Sequence, residues 1–140
     1  MLKFQTFVLV TAAMFLVLFW TASAQKVPCY VSNPGGKINV FTPSAGTYSK
    51  TSHQVVAWST NGPLNNSQTV KVCIGNKGDF GCDDPCFKLI AESVPFRYGI
   101  SPPFPANFEG NGLFGYFGFV QSNDDPKIWG AGPLFKVAAS

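Results

Sequence analysis

Seven carboxylates, one histidine and four cysteines are the side chains of this 140-residue chain best equipped for catalysis or metal binding. "CDDPC" sets Asp83 and Asp84 between Cys82 and Cys86, and "NDDPK" repeats the acidic pair as Asp124 and Asp125. Asp79, Glu92 and Glu109 complete the set. Glycoside hydrolysis needs two carboxylates at a fixed separation across a sugar, and most of these lie in turn-like sequence. Nucleophilic catalysis needs a histidine held between a hydroxyl and a carboxylate. His53 is the only histidine; it follows Ser52 at the start of a β-prone run, and no G-x-S-x-G elbow is present. A copper site for oxidative polysaccharide cleavage needs an N-terminal histidine plus a second imidazole, and one histidine cannot supply it. Asp79, Asp83 and Asp84 in "GNKGDFGCDDPC" offer calcium ligands but not in an EF-hand pattern. These residues assign no catalytic group, no metal and no cofactor, so a non-enzyme is expected. Both DDP stretches read as turns, where proline fixes the backbone and aspartates accept from nearby amides.

The compartment follows from the N-terminus. Lys3, an apolar run from about Phe7 to Trp20 and Ala22-Ser23-Ala24 give the order of a secretory signal cut after Ala24. Residues 1–24 are therefore read as a cleaved leader, 25–35 as a short lead-in and 36–140 as one domain. The protein is expected to be secreted, with no membrane association after cleavage. Four cysteines, Cys29, Cys73, Cys82 and Cys86, follow the leader, and an even number in a small secreted domain reads as two disulfides. Sequence leaves three pairings open. A zinc site is disfavoured, because "CDDPC" has no neighbouring histidine and the destination is oxidising. Asn65-Asn66-Ser67 is an N-glycosylation sequon. Without Lys3, nine basic residues face seven acidic ones, and the lysines are scattered. That balance argues against nucleic acid as a partner.

The elements that must carry these residues are short and β-prone. No stretch shows a helical period, and runs rich in β-branched and aromatic residues alternate with Gly, Pro, Asn and Ser clusters. Strands are expected at 37–43, 53–60, 69–75, 86–94, 96–100, 113–121 and 133–139, with "SPPFP" ending the fifth. In the third, Val70, Val72 and Ile74 share one face, opposite Thr69, Lys71 and Cys73. In the sixth, "LFGYFGFVQ", Phe114, Tyr116 and Val120 oppose Phe117 and Phe119, so this strand belongs in the middle of a sheet, covered on both sides. Gly115 and Gly118 inside it mark bulges or close backbone approach. Seven such strands predict an all-β immunoglobulin- or fibronectin-III-like β-sandwich.

The ordered motifs resemble the N-terminal domain of fungal Kre/Knh-type cell-wall synthesis proteins, shared with Ser/Thr-rich glycolipid-anchored surface proteins. The matching stretches are "INVFTPSAGTYS", with its P-x-x-G turn, "VVAWST", "VKVCIG", "LIAESVP" and "YFGFVQSNDDPKIWGAGPLFKV". Together they span nearly all of 36–137. The resemblance implies an extracellular β-sandwich associated with the fungal cell wall, where some members are linked to β-1,6-glucan assembly. It transfers no catalytic residue. The chain departs from the pattern in lacking a Ser/Thr-rich tail, which implies a diffusible protein. It also departs in its "NKGDFGCDDPC" insert, which implies a stapled hairpin with Cys73 joined to Cys82 or Cys86 and Cys29 to the other.

A cell-wall polysaccharide such as β-glucan is then the expected partner. After the leader the chain keeps two tryptophans, four tyrosines and ten phenylalanines. Tyr48, Phe104, Phe108 and Trp129 fall in loops of this reading, where rings can stack on sugar faces; each can equally cap an end of the fold. A secreted protein-interaction or effector module on the same scaffold is the alternative. A lipid carrier using the phenylalanines of "LFGYFGFV" is a third.

Overall fold

A computed structural model describes residues 37–77, 85–108 and 115–138. The leader, the lead-in with Cys29, and the stretch holding Asp79, Cys82, Asp83 and Asp84 lie outside them, as do Glu109 and Phe114. Ten short strands run in order among the described residues: β1 Val40–Thr42, β2 Thr47–Tyr48, β3 His53–Gln54, β4 Ala57–Trp58, β5 Thr69–Asn76, β6 Lys88–Pro95, β7 Phe104–Pro105, β8 Tyr116–Ser122, β9 Trp129–Ala131 and β10 Lys136–Val137. No α-helix occurs among them; the one helical element is a 3-10 turn, Phe96–Tyr98.

The largest unit is an antiparallel four-stranded sheet in the order β6-β5-β8-β9. β1 pairs with β4 and β3 with β7, both antiparallel, while β10 lies parallel to β2. The chain is thus mostly β, with one four-stranded antiparallel sheet and several two-stranded ones.

Alternation along β5 and β8 builds the core. Val70, Val72 and Ile74 are fully buried on one face, with Val120 beside Val72 and Tyr116 beside Asn76 in register. Ile38, Val40, Val56, Trp58, Phe96, Phe104, Phe108 and Phe135 complete this cluster. Each such side chain contributes roughly 1.5–3 kcal/mol on leaving water. β8 is an inner strand, as its two apolar faces predict: Phe117 and Phe119 enter a second cluster with Cys73 and Ala131.

Small residues let the layers meet. A Cβ on Gly118 would stand 3.1 Å from the Thr42 carbonyl oxygen and 3.3 Å from Val40 Cγ1; one on Gly130 would collide with the Ile38 carbonyl. Gly118 therefore marks close backbone approach, and the register along β8 shows no bulge. Gly115 has φ 98°, which a side-chain-bearing residue adopts only under strain.

Three expected elements differ. The stretch 96–100 is not a strand: Phe96 is anchored in the core, its carbonyl accepts from the Trp58 indole at 2.9 Å, and Gly99 turns the chain at φ 66°. The strand comes later, inside the proline-rich stop, and is only two residues long because Pro105 has no N–H for a ladder. The run 53–60 splits into β3 and β4, since the Val56 N–H donates to the Ser101 hydroxyl and the Val55 carbonyl accepts from the Thr42 hydroxyl. Trp129, expected in a loop, begins edge strand β9.

Candidate binding surfaces

The acidic stretches behave as turns where they are described. Between β8 and β9, the Ser122 hydroxyl accepts the Asp124 and Asp125 N–H groups at 3.2 and 3.1 Å. Asp125 Oδ1 accepts the Lys127 N–H at 3.0 Å, and the Asp125 carbonyl accepts that of Ile128. Asn123 fastens the turn to β5 and β6 by donating to Thr69 Oγ1 and the Glu92 carbonyl. The Ser52 hydroxyl donates to the Ser49 carbonyl and accepts from Gln54, while His53 is exposed on β3. Among the described residues no three of His, Cys, Asp and Glu gather as a metal-binding group.

Cys73 of β5 is bonded to Cys86, just ahead of β6, with Cα atoms 5.3 Å apart. This selects Cys86 from the two partners the resemblance offered. The bridge straps the hairpin on the sheet face that carries Phe119. Asn65 is exposed, and its Oδ1 accepts both the N–H and the hydroxyl of Ser67 at 3.1 and 2.6 Å.

The four aromatic residues proposed for a sugar site go to different places. Phe104 and Phe108 are 4% and 5% exposed, and their centroids lie 6.0 Å apart within the core. Phe108 also packs on Tyr116 and Phe135. As packed, neither ring offers a face to a ligand. Tyr48 is half-buried on β2, edge-on to Phe135, with its hydroxyl donating to the Ser44 carbonyl at 2.8 Å.

Trp129 remains accessible. It is half-buried on the sheet face opposite the main core and tilts over Phe119 at 5.8 Å. Register places it in a cross-strand row: Lys71 of β5 opposite Gln121 of β8, and Gln121 opposite Trp129 of β9. All three are half-buried. The row offers an indole, an amide and an ammonium along one line, with the Gln121 amide N–H held by the Pro126 carbonyl.

A second surface was not anticipated from sequence. The most exposed large apolar residues are Tyr98 at 59%, Phe41 at 49%, Ile100 at 48% and Leu89. Two of these four, Phe41 and Ile100, flank Ala57. Phe41 is the unpaired residue between Val40, which pairs with Trp58, and Thr42, which pairs with Ala57. Ile100 bridges Ala57 from the other side. The signal for Phe41 is its parity: Lys37, Asn39 and Phe41 are exposed, while Ile38 and Val40 are buried.

No family model, curated protein or solved structure matches the chain.

Proposed function

We propose that this protein is a secreted, non-catalytic module with an immunoglobulin-like β-sandwich fold, associated with the fungal cell wall, which binds or organises β-glucan. The observation that carries the reading is the row of Lys71, Gln121 and Trp129 across three adjacent strands. A half-exposed indole stacks on the apolar face of a pyranose, and an amide and an ammonium beside it bond to hydroxyls. The ordered motif resemblance supports the cell-wall setting, and the Cys73–Cys86 bridge suits an oxidising compartment. Packing of Phe117 and Phe119 against Cys73, Ala131 and Leu134 favours this reading over a lipid carrier.

The test is co-sedimentation of the oxidised protein with insoluble β-glucan, and with chitin as the comparison polymer. Trp129→Ala and Gln121→Ala are the variants. Trp129→Ala is expected to weaken retention on glucan about tenfold, which corresponds to ~1.4 kcal/mol. No retention of the unaltered protein, or full retention by both variants, would count against the proposal.

A further inference from the structure

The surface around Ala57 carries exposed apolar side chains, with exposed cations on the neighbouring segments. Three segments lie side by side there: residues 39–41, 57–59 and 99–101, the last entered through the left-handed turn at Gly99. The Ser59 N–H donates to the Asn39 carbonyl at 2.9 Å, the Trp58 N–H to that of Gly99 at 2.9 Å, and the Ser101 N–H to that of Val56 at 2.8 Å. This backbone frame presents Phe41 and Ile100 on either side of Ala57, away from the buried Val40 and Trp58.

Arg97 and Tyr98, both exposed, precede Gly99 and Ile100 in the chain. The Arg97 guanidinium lies over the Tyr98 ring at 5.7 Å. Among the described residues Arg97 makes no ion pair and no side-chain hydrogen bond, and the Tyr98 hydroxyl and the Phe41 ring have no partner. Lys37, exposed at the same parity as Phe41, adds a second cation. The segments 37–41, 57–59 and 97–101 contain no aspartate or glutamate, and the described acids, Glu92, Asp124 and Asp125, belong to β6 and the β8–β9 turn.

This charge pattern selects the partner. A second copy docked through the same surface would add cations to cations, and among the described residues that surface supplies no acid to offset them. A purely neutral polymer would leave the guanidinium fork unused. We infer that this surface is an independent binding site for an anionic glycan, whose carboxylates or phosphodiesters meet Arg97 and Lys37 while its sugar rings rest on Tyr98 and Phe41. The guanidinium is suited to the role because its planar fork can take a carboxylate or phosphate through two parallel hydrogen bonds. Its position over the Tyr98 ring sets it beside a sugar resting on that ring's open face or edge.

Calorimetric titration with polygalacturonate and with a phosphodiester-bearing mannan tests this, with an uncharged β-1,3-glucan as control. The two arms separate the carboxylate source from the phosphate source. At least one anionic polymer should bind, with affinity falling as salt rises. Arg97→Ala should weaken that binding about tenfold or more, and Tyr98→Ala and Phe41→Ala several-fold. Arg97→Lys, which keeps the charge and loses the fork, should recover only part. Lys127→Ala removes one charge from the β8–β9 turn and should leave binding unchanged. The inference fails if neither anionic polymer binds, if Lys127→Ala costs as much as Arg97→Ala, or if Arg97→Ala, Tyr98→Ala and Phe41→Ala all bind normally. Because Trp129 is on a different surface, loss of glucan binding in Trp129→Ala does not decide this result.

Discussion

The two faces of the four-stranded sheet are both apolar, yet they are closed differently. On one, the small β-branched residues Val70, Val72, Ile74 and Val120 meet side chains from β1, β4, β7 and β10's approach, including Trp58, Phe104 and Phe135. On the other, two rings, Phe117 and Phe119, lie beside a disulfide, with Trp129, Leu134 and Cys86 packed against them. The first face draws on residues from one end of the described chain to the other. The second draws largely on the sheet's own strands and their immediate flanks. The glycines follow this division: Gly118 and Gly130 admit the backbone of 38–42 to the first face, whereas on the second the Phe117 ring covers its cross-strand neighbour Gly75. A sheet can therefore carry rings where cover is local, and needs small residues where another stretch of backbone must pass close.

Ring truncation should separate the faces most sharply. Phe135 touches three other rings, those of Tyr48, Phe108 and Tyr116, so Phe135→Ala is expected to cost about 3–5 kcal/mol in urea unfolding. Phe119 has Trp129 as its ring partner, and Phe119→Ala should fall at the low end, about 3 kcal/mol. Equal losses, or a larger loss at Phe119, would break the distinction between widely assembled and local cover.

Replacing both Cys73 and Cys86 with serine sharpens the comparison on the strapped face. The bridge closes a separation of 13 residues, which corresponds to about 3 kcal/mol in the chain-entropy account. Unfolding midpoints of the double variant should drop accordingly. Amide exchange should accelerate in β6 more than in β9, since β6 is the strand the bridge fastens. Uniform acceleration would mean that the bridge supports the whole sheet and not its own hairpin.

The smallest effect is expected in the β8–β9 turn. Asp125→Ala removes the acceptor of the Lys127 N–H, at a cost of about 0.5–1 kcal/mol. The Ser122 hydroxyl still accepts two amides there, so thermal unfolding should shift only slightly. A large shift would show that the aspartate does more than hold the turn.

Legibility in the sequence follows the range of the cause. β5 and β8 were readable because long β-prone runs put apolar side chains on one face of β5 and on both faces of β8, and the buried positions of both strands follow from that. The second DDP stretch was readable as a turn because the hydrogen bonds that close it join residues two to six apart, while the ties of Asn123 to β5 and β6 are long-range. β9 was not readable: its glycines resemble a loop, but Gly130 is required by the approach of Ile38, about ninety residues earlier in the chain. Phe104 and Phe108 resembled loop rings available to a ligand, and their burial depends on where Tyr116 and Phe135 stand. Phe41 had the opposite fate. It sits in a strong strand sequence, yet Ile38 and Val40 took the inner parity and left it outside.

Composition and periodicity by themselves determined that this chain would be β-rich, that β8 would be an inner strand and that the DDP pair at Asp124 and Asp125 would turn the backbone. These are local consequences of alternating side chains and of proline and aspartate at fixed offsets. Only the tertiary structure decided which cysteine bonds Cys73, which rings fill the core, and which remain outside. Those outcomes depend on distant segments competing for the same buried volume, and a ring's own neighbours in sequence do not encode the result.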